Sequence, residues 1–254
     1  MTSVWAEEAG SPDRPLIALV HGAMDRSAGL LQLSRRLDDE YRVLRYDRRG
    51  YGRSVLHEGP FDMAGQVADL VDLLAGRRAV LVGHSYGGNV ALATAVRYPE
   101  SVAGVVIYET PLSWESWWPG TTAGAGALAA AGRPQEAAEA FIRRLIGDAR
   151  WECLPERTRA ARRAEGTALV SELADLRAHR PWCADDVHVP VVVGVGSRAA
   201  PHHRQGMAHV AAAIANAQLV RLEDCGHGAP NSHPETFRKA LVDPLLVAVG
   251  APWT

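Results

Sequence analysis

The stretch Gly83-His84-Ser85-Tyr86-Gly87-Gly88, GHSYGG, follows the apolar run AVLV and leads directly into NVALATAVRYPE. A short β-branched and aliphatic run reads as a buried strand, and the alanine-rich segment after it reads as a helix, so the serine falls at a strand-to-helix junction. G-x-S-x-G at such a junction places the serine on a sharp, strained turn. Its hydroxyl then stands clear at the carboxyl end of a sheet, and the small residues two before and two after leave room for neighbouring backbone. The bare pentapeptide occurs often by chance; the strand before it and the helix after it carry the reading.

Working outward, the same alternation recurs. LIALV (16–20), YRVLRYD (41–47), AVLVG (79–83), VAGVVIY (102–108), PVVVGV (190–195) and AQLVRL (217–222) read as strands. Helices are expected over about 27–38, 62–75, 86–97, 203–215 and 233–248, the last opened by Ser232 with Glu235 three residues on, a capping-box pattern. Strands alternating with amphipathic helices predict an α/β fold with a mostly parallel central sheet flanked by helices. The alternation fails between Leu112 and Asp186, where AAEAFIRRLIG and RTRAARRAEGTALVSELADLRAH carry only helical spacing. The chain therefore divides into a core of residues 1–111 and 187–254 and a helical cap or lid insertion of residues 112–186. Trp114, Trp117, Trp118, Trp151 and Trp182 fall in that insertion, either as a substrate-facing wall or as anchors of a covering layer. TTAGAGALAAAG (121–132) reads as a loop or hinge within it.

Composition excludes several classes. Charges almost balance at a formal net of -2, and no long tract is of one sign, so nothing points to nucleic acid as a partner. Lys239 is the sole lysine among the 27 basic side chains, a bias that reads as genome composition. Cys153, Cys183 and Cys225 are odd in number and far apart, against a disulfide framework, a zinc site or a redox dithiol. The amino-terminal MTSVWAEEAGSPDRPL has no basic-then-apolar order, and no run approaches a membrane span, so a cytoplasmic protein with no membrane partner is expected.

A serine hydroxyl needs a neutral imidazole within hydrogen-bond reach to become a nucleophile. Of ten histidines, His227 lies in LEDCGHGAP just beyond the strand AQLVRL, at the carboxyl end where such groups gather. His57, His179, His188, His202, His203, His209 and His233 read as surface or helix-end residues, and His21 as a packed structural histidine. His21-Gly22-Ala23-Met24 follows LIALV, so the amides of Ala23 and Tyr86 are candidates for an oxyanion hole.

Together these pieces resemble the α/β-hydrolase superfamily: LVHGA (19–23), YDRRGYGRS (46–54), LVGHSYGG (81–88), RYPESV (97–102) and CGHGAP (225–230), in the family's order. The resemblance implies a Ser, acid, His order of catalytic groups, and a supporting role for Asp47, Arg48, Gly50, Gly52 and Ser54 near the site. One departure stands out. The acid usually follows the strand that here reads VPVVVGV, yet Ser197, Arg198, Ala199 and Ala200 occupy those positions. Asp185 and Asp186 precede their strand, and Glu223 and Asp224 share the histidine's loop too closely in sequence. Glu109 follows VVIY on the strand neighbouring the nucleophile strand, where some family members place their acid. It is the candidate third member of the triad, against a Ser-His dyad or a strand-capping glutamate.

The resemblance implies hydrolysis of a carboxylic ester of a small, largely apolar substrate through an acyl-enzyme on Ser85, with no cofactor and no metal. Met24, Trp114, Trp117 and Trp118 are the substrate-binding candidates. A thioesterase or acyltransferase, a C-C hydrolase or lyase, a tailoring enzyme and a weakly active small-molecule receptor stay open. Serine at the elbow argues against the aspartate-nucleophile epoxide hydrolases. Oligomeric state has no signature in the chain.

Overall fold

The computed structural model describes residues 4–119, 125–250 and 253. Seven strands form one sheet in the order β1-β3-β2-β4-β5-β6-β7: β1 (Ala6–Ala9), β2 (Leu16–Val20), β3 (Arg42–Tyr46), β4 (Ala79–His84), β5 (Val102–Tyr108), β6 (Val191–Gly196) and β7 (Ala217–Leu222). All neighbours run parallel except β1, which pairs antiparallel with β3. The six expected strands are all present within a residue or two. β1 has no sequence signal, because AEEA holds no β-branched or aromatic residue. Charge fastens this edge strand: Glu7 meets Arg45 at 3.1 Å, and Glu8 bonds both Arg42 and, at 2.7 Å, Arg77.

The central strands read as unbroken apolar runs because both faces are covered. Ile17 and Leu19 face a cluster with Val80, Val106, Phe237 and Leu241, whereas Leu16, Ala18 and Val20 face one with Leu81, Val105, Val90 and Val193. Successive side chains point to opposite faces, so burial of both faces leaves no polar alternation.

The helices are α1 (Leu31–Ser34), α2 (Met63–Leu74), α3 (Tyr86–Arg97), α4 (Ala125–Ala130), α5 (Pro134–Ile146), α6 (Asp148–Glu152), α7 (Glu156–Ala164), α8 (Gly166–Ala178), α9 (Pro201–Ala213), α10 (Ala229–Ser232), α11 (Pro234–Phe237) and α12 (Asp243–Val249). Two expected helices are broken. Residues 27–38 form a 3-10 turn, Ser27–Leu30, followed by the short α1, which still buries Leu30, Leu33 and Leu37. Residues 233–248 divide into α11, a π segment Arg238–Val242 and α12, because Pro244 lacks the N–H that would continue an α-helical ladder. The capping box does not form: Ser232 ends α10, and its hydroxyl donates back to the Gly228 carbonyl at 3.0 Å.

Helices α4 to α8 lie between β5 and β6. Of the stretch expected as a loop at 121–132, residues 121–124 lie outside the described residues and 125–130 are helical. This layer is tied to the sheet by a third apolar cluster, in which Met24 and Tyr51 pack with Ile142, Trp151 and Leu169. It is also tied by charge. Glu172 of α8 accepts from Arg48 at 2.7 Å and from the Tyr51 hydroxyl at 2.6 Å, and the Arg48 and Glu172 side chains are both fully buried. Glu165 accepts from Arg26 and from the Gly52 amide.

Removing one partner of a buried ion pair strands the other charge, which costs about 3–5 kcal/mol. Glu172→Ala is therefore expected to lower the unfolding free energy by an amount of that order and the urea midpoint with it, whereas Glu235→Ala, at an exposed pair, leaves both nearly unchanged. Equal midpoints for the two variants, measured by far-ultraviolet circular dichroism, would contradict the assignment of Glu172 as the buried counter-charge of Arg48.

Candidate active site

The carboxyl ends of β2, β4, β5 and β7 carry the residues that meet in one cavity. Four of the five non-glycine residues with positive φ sit at these ends: Met24 (53°), Ser85 (53°), Glu109 (46°) and Asp224 (58°). Such backbone costs on the order of 1–3 kcal/mol per residue and persists only where surrounding packing enforces it.

At Ser85 the enforcement is visible. The residue has φ 53° and ψ -124° and precedes the first turn of α3, with its amide bonded to the Tyr108 carbonyl at 2.9 Å. A Cβ on Gly83 would lie 2.5 Å from the Gly87 carbonyl oxygen, and one on Gly87 would overlap the Val20 carbonyl. Glycine at Gly83 lets helix α3 lie this close to strand β4, and glycine at Gly87 lets it lie this close to the end of β2. The amide of Ala23 makes no hydrogen bond to another described residue, and that of Tyr86 opens α3, where helix geometry supplies no acceptor. Both residues line the same cavity as Ser85.

His227 lines that cavity too, and its Nδ1 lies 2.8 Å from Oε2 of Glu109. Glu109 is fully buried while the His227 side chain is 34% exposed, so the ring bridges the interior and the cavity. The other carboxylate oxygen, Oε1, accepts from the Gly196 amide at 3.0 Å. The reach is set by register: Tyr108 pairs with Gly194 on β6, and the left-handed turn at Glu109 swings its side chain across the end of that strand. Burial alone would push the Glu109 carboxyl up, but the bond and charge of His227 and the Gly196 amide outweigh it and hold the group below the ordinary carboxylate range. Among the described residues no hydrogen bond joins the Ser85 hydroxyl to the imidazole; such bonds are commonly long in unliganded sites.

His21 is buried, as expected of a packed residue. Its Nδ1 lies 2.8 Å from the Gly22 carbonyl, and its Nε2 accepts from the Arg48 amide at 2.9 Å. Arg48 in turn donates to the carbonyls of His21 and Gly22 at 3.0 and 3.1 Å, so the loop after β3 shapes the loop after β2.

Three of the four substrate-binding candidates lie off this cavity. Met24 points into the cluster with Tyr51 and Trp151. Trp114 packs edge-on against Trp182 at 5.6 Å, whose indole donates to Asn89, and Trp117 stands against Trp118 and His209. The physical reason is that a helical layer must be fastened by large apolar contacts before it can wall anything, and these indoles do that fastening. Trp118 does line the cavity.

His202 and His203, expected at the surface, also line it. Helix α9 starts at the end of β6, and Trp118 covers both rings, with centroids 4.9 and 5.2 Å away. Burial, then the positive charge of a protonated His227, would lower His203 to about 3, leaving it neutral. The doublet at the start of a helix was the available signal; its neighbours come from three other segments and were invisible. Glu109, His203 and His227 bring potential ligand atoms within 4.8 Å of one another, and one carboxylate with two imidazoles is a donor set that suits zinc.

No helix among the described residues is long and apolar enough to cross a membrane. A family model described as "Alpha/beta hydrolase family" matches residues 17–240. A mouse protein named epoxide hydrolase 4 is 33% identical over 108 residues, 41% of this chain and 30% of that protein. The chain thus spans under a third of the length of that curated relative. Among solved structures, the esterase from Thermogutta terrifontis, in a malate-bound form, superposes with a TM-score of 0.76 at 26% identity over 97% of this chain and 93% of the other. The enol-lactonase from Burkholderia xenovorans LB400 does so with a TM-score of 0.77 at 25% identity, covering 96% of each. With a family model spanning most of its length and a mostly parallel sheet whose strand ends meet in one cavity, the chain belongs to the α/β-hydrolase family.

Proposed function

We propose that this protein cleaves a carboxylic ester of a small molecule through an acyl-enzyme on Ser85. The observation that carries the reading is the 2.8 Å contact between His227 Nδ1 and Glu109 beside a cavity shared with Ser85. A proton on Nδ1, donated to the carboxylate, leaves Nε2 free to act as base. His227 then takes the Ser85 proton as the hydroxyl attacks the ester carbonyl, and the amides of Ala23 and Tyr86 hold the resulting oxyanion. The leaving alcohol departs with the proton from His227, and a water repeats the route to release the acid. Glu109 fixes the tautomer and stabilises the imidazolium. Helices α4 to α8 serve as the cap, and Trp118 contributes to substrate binding.

Serine at the elbow separates this reading from the epoxide opening named in the mouse relative, while the esterase and enol-lactonase among the structural neighbours act on the bond type proposed. A cavity of about 260 Å³ suits a small ester.

Ser85→Ala is expected to cut p-nitrophenyl ester hydrolysis by at least about 10³-fold. It is also expected to abolish labelling by a fluorescent phosphonate. Unchanged turnover, or labelling at another residue of the active protein, would reject the acyl-enzyme. Glu109→Gln should fold normally yet lose on the order of 10⁴-fold in kcat, because the amide no longer favours the catalytic tautomer. Wild-type kcat in that variant would remove Glu109 from the mechanism.

A further inference from the structure

The charges of the helical layer are unevenly committed. Arg143 bonds Glu139 at 2.8 Å and Asp148 at 3.1 Å, Arg159 bonds Glu152 at 2.7 Å, Arg163 bonds Glu139 at 2.6 Å, and Arg180 bonds Glu115 at 2.7 Å. Among the described residues, Arg144, Arg150, Arg157 and Arg177 of this layer have no carboxylate oxygen within 4.0 Å; of these four, Arg144 and Arg177 line the cavity that holds Ser85.

They stand in the last turns of α5 and α8, two helices packed against each other, so they come from one wall. A cation is favoured at a helix carboxyl end, which accounts for the sign of each charge. It does not account for both lining one cavity with no acidic partner among the described residues.

The rest of the lining leaves this charge uncompensated. Among the described residues that line it, Glu109 is the only carboxylate, and it is committed to His227 and the Gly196 amide. A third lining arginine, Arg198, is bonded to Asp224 at 3.0 Å. The same lining includes the apolar side chains of Phe141, Leu145 and Leu173. The cavity thus combines the catalytic groups, apolar surface and two cations without acidic partners, a lining that suits a molecule with an ester, a short apolar body and a negative charge.

We propose that the substrate carries, besides its ester, a carboxylate, held by Arg144 and Arg177 at the helical side of the cavity while the ester lies against Ser85. A carboxylate is favoured because its two oxygens match the planar donor fork of a guanidinium. The inference rests on the ester-hydrolase reading of the cavity and narrows it from small esters in general to half-esters or lactones of dicarboxylic acids. The acid released carries two negative charges, so the enzyme's product is a dicarboxylate, and the preceding reaction must supply a monoester or internal ester of one.

The test compares kcat/KM for mono-p-nitrophenyl glutarate with that for neutral p-nitrophenyl pentanoate of similar length, each divided by its uncatalysed rate. The full chain is expected to prefer the glutarate by about 10- to 100-fold, the range for a hydrogen-bonded charge pair. That preference should shrink in high salt. Arg144→Ala with Arg177→Ala together should bring it close to unity, and Arg177→Lys should retain part of it. A preference of unity or below in the wild-type protein, or one unchanged in the double variant, overturns the proposal. If the double variant fails to fold, the wild-type preference and its salt dependence still decide. Failure to hydrolyse either ester, with no phosphonate labelling of Ser85, would instead overturn the ester-hydrolase reading itself.

Discussion

The guanidinium of Arg48 joins the three parts of the molecule that must be held in register. It donates to the carbonyls of His21 and Gly22 in the loop after β2, pairs with Glu172 of α8, and lies over the rings of Tyr51 and Tyr86 at 4.9 and 4.7 Å. Tyr86 begins the helix that follows Ser85. One buried side chain therefore touches the loop carrying Ala23, the helix after the elbow and the helical layer above them. Burying such a pair costs desolvation that its attraction only roughly offsets, so its importance lies in geometry more than in net stability. The guanidinium's fixed donor fork meets acceptors from separate segments at defined angles, which apolar packing would not do.

Backbone strain at the strand ends follows the same logic. Met24, Ser85 and Glu109 each take a left-handed conformation just past a strand of the sheet. Each bends the chain abruptly, so that a side chain or amide faces across the ends of neighbouring strands. Hydrogen bonds from well-ordered neighbours hold the bend: Tyr108 receives the Ser85 amide, and Gly194 receives that of Glu109. A parallel sheet suits this arrangement because its strand ends lie side by side, bringing loops distant in sequence to a common edge.

Much of this was legible in the chain. Buried strands announce themselves through unbroken apolar runs, and G-x-S-x-G in its strand-to-helix setting and the glycine-flanked His227 are local patterns that need no partner to be recognised. Glu109 was reachable through the family resemblance, which places an acid after β6 or, in some members, after β5; here the first position holds no carboxylate and the second does. The edge strand β1 escaped because its stability comes from pairing with β3 and from arginines, not from residues of high β-propensity. The tryptophans divided between anchoring and lining on a criterion no sequence contains, namely which side of an insertion faces the sheet.

Sequence by itself determined the α/β alternation and the elbow around Ser85, because both rest on short-range periodicity and backbone requirements of a few residues, and its motifs in their order carried the resemblance to the family. Tertiary structure alone decided that Glu109 bonds His227, that His202 and His203 enter the cavity, that Glu172 answers Arg48, and that Arg144 and Arg177 lack acidic partners among the described residues. Each of those depends on distances between segments tens to more than a hundred residues apart. Local propensity has no access to such distances; packing of the sheet and its covering helices creates them.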